Sequence, residues 1–119
     1  MTFDIEVVLR GEKDATVRRA VHERDPHDWT EADVRSVLTE VLLAVDRAKN
    51  PDTPQPRIAL RGFSWIVEPF DKGRVVIAVE IPTGAAVAGP FAIDHAVLDR
   101  LITRALSATD DGLASPAIH

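Results

Sequence analysis

The spacing of hydrophobic positions changes period along this chain. From Thr2 to Arg10 it is two: Phe3, Ile5, Val7 and Leu9 alternate with Thr2, Asp4, Glu6 and Arg10, and Val8 is the one apolar residue on the polar side. That is the pattern of a β-strand with one face buried. Gly11-Glu12-Lys13-Asp14 reads as a turn. Ala15 to Glu23 then admits two readings, a short helix or a returning strand whose Ala15, Val17 and Val21 share a face interrupted by Arg19. The strand is preferred, because it gives the first strand a partner.

Beyond the polar loop Arg24–Asp28 the period becomes helical. Thr30 stands at an N-cap position, with Asp33 three residues on as an acidic form of the capping box. Trp29 and Val34 occupy the two places of a hydrophobic staple. Val34, Val37, Leu38, Val41, Leu42, Val45 and Ala48 recur at three and four residues and make one apolar stripe. Lys49-Asn50-Pro51 ends the helix, and Asn50 to Pro56 is a proline-rich connector.

The stretch Arg57 to Pro82 predicts a hairpin around the short loop Asp71-Lys72-Gly73, with Gly73 in the left-handed conformation. With Phe70 and Arg74 flanking the loop, Val67 faces Ile77, Trp65 faces Val79 and Phe63 faces Ile81, all on one apolar side. A slip of one residue would turn Glu68 and Glu80 toward the core, so burial selects this register. Parity reverses at Arg61-Gly62, which predicts a bulge or sharp twist there. Thr83 to Pro90 is built of small residues and reads as a loop running from Gly84 to Gly89. A second helix follows, capped by Asp94, with Ile93 and Leu98 as its staple and Val97, Leu98, Leu101, Ile102, Ala105 and Leu106 as its stripe. Periodicity is lost from Ala108 onward.

The predicted order is ββαββα. It folds most economically as an α+β two-layer sandwich, a four-stranded, mainly antiparallel sheet with both helices on one face. Residues 1–107 form one domain and 108–119 a flexible tail. The open sheet face then presents Val8, Ile66, Val76 and Ala78, more apolar than a solvated face requires, and this predicts a homodimer packed there.

Composition narrows the function classes. Apolar residues make up 45% of the 119 and charged residues 28%, ordinary for a globular domain. No apolar run approaches the length of a membrane span. The absence of cysteine excludes disulfides and thiolate chemistry and is compatible with a cytoplasmic location. A net charge of −5 disfavours nucleic acid as a partner, although Arg18, Arg19, Arg57 and Arg61 sketch a basic β-ribbon.

Candidate chemistry is sparse. His22, Asp25 and His27, with Glu23 and Asp28, are the densest group of metal-ligand types, but their spacing fits no known ligand pattern and a charged turn explains them. Gly84 to Gly89 precedes a helix, yet Pro90-Phe91 stands where a phosphate-binding loop needs Lys-Ser/Thr. Asp94 beside His95 could act as a base, but no nucleophile motif accompanies the pair. Arg61 and Arg74 could recognise a carboxylate or phosphate. No motif asks for a cofactor or marks a catalytic residue. The sequence therefore predicts a small binding or interaction module contacting a protein partner or its own copy through Arg61, Arg74, Gly84, Gly89, Asp94 and His95. The alternative is a small enzyme or ligand-binding domain with its site between the Gly84–Gly89 loop and the start of the second helix.

Overall fold

Five antiparallel strands, not four, form the sheet of the computed structural model, which describes residues 1–52 and 57–114, with side chains up to residue 107. Strand β1 is Thr2–Leu9, β2 is Thr16–Val21, β3 is Ser64–Pro69, β4 is Val75–Ile81 and β5 is Gly84–Phe91. Helix α1 runs Glu31–Lys49 and α2 His95–Ala114, and a single 3₁₀ turn covers Pro26–Asp28. The strands lie in the order β2-β1-β5-β4-β3.

The added strand corrects the prediction at its weakest point. Gly84–Phe91 is not a loop. It fills the middle of the sheet, pairing Ala86 with Val7 on one side and with Val79 on the other. The order is accordingly ββαβββα, and β5 joins the two hairpins that the sequence predicted.

Both hairpins are present. In the second, Trp65 faces Val79 and Val67 faces Ile77. Phe63 lies just before β3, half-buried against the core. The turn is tighter than expected: Lys72 (φ 48°) joins Gly73 (φ 77°) in the left-handed region, and the Arg74 N–H donates to the Asp71 carbonyl at 2.7 Å. Gly62 also has a positive φ, of 78°, at the predicted twist, but Arg57 to Phe63 is irregular rather than part of a strand. In β2 the buried residue is Ala20, paired with Phe3, while Val17 and Val21 are exposed. The face parity of β2 is thus the reverse of the one predicted.

Both helices cover one side of the sheet. The core joins Phe3, Ile5, Val7, Val67, Ile77, Val79, Ala86 and Ala88 from the strands to the predicted stripe of α1 and to Leu98, Ile102 and Ala105 of α2. Trp65 is half-buried against it. Phe91, wholly buried, meets the rings of Phe3 and Trp29 at a steep tilt, with ring centroids 5.1 and 4.9 Å away. At α1 the Asp33 N–H donates to the Thr30 hydroxyl and the Thr30 N–H to the Asp33 carboxylate, completing the capping box. Helix α2 continues through Ala114, into the segment 108–119 read as a tail, and residues 115–119 lie outside the described residues. Of the proline-rich connector, residues 53–56 lie outside them too.

Candidate functional site

The residues singled out from the sequence fall at separate places. Arg74, Asp94 and His95 do meet, lining with the Asp71–Gly73 turn a hollow of about 410 Å³. Each of them is already engaged. Arg74 holds Asp71 at 2.6 Å and lies over the Phe70 ring. Asp94 accepts the Val97 N–H at 3.2 Å, as the predicted cap of α2. Nε2 of His95 donates to the Val67 carbonyl of β3 at 2.7 Å, which fixes the proton on that nitrogen.

Gly84 and Arg61 sit toward the opposite end of the sheet from that hollow. Gly84 opposes Leu9 and Ile81, and Arg61 is exposed just ahead of β3. Gly89 is buried inside β5 opposite Asp4. With a φ of 138° it leaves its Cβ side open, and Val76 of β4 lies over that space, where an added Cβ would come within 3.1 Å of Val76 Cγ1. This contact explains why Val76, predicted on the open face, is nonetheless buried. A ligand site in a loop between Gly84 and Gly89 has no counterpart, since that segment is the centre of the sheet.

The potential metal ligands also diverge. His27 lies 3.5 Å from Asp28, and His22 turns inward to Asp33. Among the described residues no three His, Cys, Asp or Glu side chains group as a metal site would require.

Asp33 is the residue the sequence undervalued. It is the buried charged residue of the core, at 8% exposure. Besides closing the capping box it faces His22 at 2.9 Å and Arg24 at 3.2 Å. Burial pushes its pKa up, but the Thr30 N–H, His22, the Thr30 hydroxyl and Arg24 outweigh burial and hold it near 2, against an ordinary 3.8. The Trp29 Nε1–H donates to the Arg24 carbonyl at 2.9 Å, and the Trp29 ring stands edge-on to His22. Every donor and acceptor of this cluster that surrounds Asp33 belongs to the chain itself, so its work is to fasten β2 to α1. The signal that could have exposed it was the single acid at the third helical position, eleven residues from His22.

What remains open is a surface. On the sheet side away from the helices, cross-strand pairing aligns Val17, Glu6, Val87, Ala78 and Ile66 in one row across all five strands. A shallow groove of about 310 Å³ runs along it between Ser64, Ile66, Ala78, Glu80, Ala85 and Val87.

The chain matches no protein-family model, no curated protein and no solved structure. Any statement about its function therefore rests on this geometry. No helix among the described residues is long and apolar enough to cross a membrane.

Proposed function

We propose that this protein is a small interaction module that pairs with a second copy of itself through the open face of its sheet. One observation carries the reading. Of the seven exposed large apolar side chains among the described residues, five lie on that face: Val21 at 72%, Val17 at 62%, Ile66 at 54%, Val8 at 41% and Val87 at 40%. Isolated exposed valines need no explanation, but five large apolar side chains gathered on one face of a sheet do.

The size fits as well. Five strands ~4.8 Å apart and ~3.4 Å per residue give a face of roughly 20 by 25 Å. That is on the scale of the ~800 Å² each partner contributes to a standard interface. Glu68 and Glu80 lie toward its margins, while Asp4 and Arg19 neutralise each other at 3.1 Å. Two-fold packing of such a face on itself buries the valines and leaves Glu68 and Glu80 toward the rim, with Glu6 and the Asp4–Arg19 pair as the charged groups inside the face.

Sedimentation equilibrium at micromolar concentration tests this. A mass of two chains that falls to one in Val87→Glu supports the reading, and a single-chain mass for the unaltered protein refutes it.

A further inference from the structure

The two edges of the sheet are finished differently. In β3, alternation of hydrogen-bonded pairs from the Phe70–Arg74 pair outward leaves Trp65, Val67 and Pro69 with their backbone groups facing away from β4. Pro69 has no N–H to offer, and His95 occupies the Val67 carbonyl. This edge is closed at its middle by α2.

At the other edge, Met1 and His22 exchange backbone hydrogen bonds. The same alternation then points the N–H and C=O groups of Val17, Arg19 and Val21 outward from the sheet. Among the described residues nothing bonds to them. The strand is Thr-Val-Arg-Arg-Ala-Val, exposed at every position except Ala20, and it lacks the lysine, proline or bulge that commonly blunts an edge. Arg19 projects to the open face and Arg18, its neighbour in an alternating strand, to the helix side, so a guanidinium stands on each side of the free edge. Arg18 forms no ion pair among the described residues, and Arg19 is held by Asp4.

We propose that the β2 edge is a docking site for an extended acidic segment of another protein, added to the sheet as a further strand. Main-chain hydrogen bonds to Val17, Arg19 and Val21 would supply the attachment. The side chains define the recognised pattern: an acid beside Arg19, with apolar β-branched residues two places to either side, beside Val17 and Val21. In antiparallel addition the two apolar residues opposite Val17 and Val21 turn their own N–H groups toward β2. A second copy of this chain is the wrong occupant for this edge. Two β2 strands paired antiparallel about Arg18 or Arg19 set arginine against arginine, which is repulsive.

The test is amide hydrogen exchange, followed by NMR on the full chain, with the blocked peptide Thr-Val-Thr-Glu-Thr-Val-Thr. Saturating peptide is expected to slow exchange at Val17, Arg19 and Val21 by at least ~tenfold. The same peptide with Lys in place of Glu, or N-methylated at its two valines, should leave those amides unprotected. Arg18→Ser with Arg19→Ser should weaken binding by about tenfold or more. Any of three results overturns the proposal: no slowing at millimolar peptide, slowing confined to Ile66 and Val87, or protection of the β2 amides that grows with protein concentration before peptide is added, which would make the edge a contact between copies.

Discussion

Nε2 of His22 lies 2.9 Å from Oδ1 of Asp33, and that contact ties the last residue paired in the first hairpin to the first turn of α1. Asp33 also faces Thr30 and Arg24, and its carboxylate is held ionised to about pH 2. Its folded pKa lies below its unfolded one, so the unfolded chain takes up this proton first as the solution is acidified. The stabilisation is complete above the ordinary carboxylate range and is lost as pH falls through about 2. A carboxyl pKa lowered from 3.8 to about 2 corresponds to about 2 kcal/mol. In urea unfolding followed between pH 7 and pH 2, Asp33→Asn should lose roughly that much less stability on acidification than the unaltered chain. Identical acid limbs would show that other carboxylates govern it.

The open face gives a second expectation, read at a residue other than Val87. Ile66→Lys places a charge at the end of the row formed by Val17, Glu6, Val87, Ala78 and Ile66. In a two-fold interface over this face the added ammonium is buried without a partner, and the dimer should weaken by about tenfold or more. The unfolding midpoint at low protein concentration should stay within ~0.5 kcal/mol of the original, since Ile66 is exposed in one chain. Concentration-dependent gel filtration of the variant provides the comparison.

The centre of the sheet yields a third. A Cβ added to Gly84 would lie 2.6 Å from the Val8 carbonyl oxygen and 3.1 Å from the Leu9 Cα, both backbone atoms that cannot turn aside. Gly84→Ala should therefore cost about 2–4 kcal/mol by forcing β5 away from β1. Ala85→Ser, one residue further along, is half-exposed on the other face and should cost less than ~1 kcal/mol. Equal losses from the two would remove the close approach at Gly84 as the cause.

The β3–β4 turn should tolerate improvement. Lys72 holds a φ of 48°, a conformation unfavourable for a lysine and acceptable to asparagine. Lys72→Asn creates the Asn-Gly pair preferred in turns with two left-handed residues, and should stabilise the protein by about 0.5 kcal/mol. Thermal unfolding of the two proteins side by side gives the sign directly.

What the chain disclosed in advance follows from where each signal originates. Thr30, Asp33, Trp29 and Val34 mark α1 locally, because caps and staples are satisfied within a few residues. The hairpin register was legible because a slip would bury Glu68 and Glu80. Strand β5 was not. Ala86 and Ala88 alternate with Ala85 and Val87, a pattern with hardly any contrast in hydrophobicity. Their smallness reflects the close packing of α1 over β1 and β5, a tertiary demand that leaves no local trace. The same holds for Ala20, whose burial depends on Phe3 opposite it. The Asp33 cluster was half visible: its capping role could be read, its engagement with His22 could not, because the two are brought together only once β2 and α1 are placed.

The position of β5 sets a condition on how this sheet can come into being. The strand last in sequence is the middle one in space, bridging β1 to β4. Until residues 84–91 slot in, the amino-terminal ribbon and the ribbon of β3 and β4 have no ladder between them, and each leaves a long unpaired margin. A chain emerging from the ribosome must therefore keep the inner margin of its first hairpin in waiting until residues 84–91 have been made.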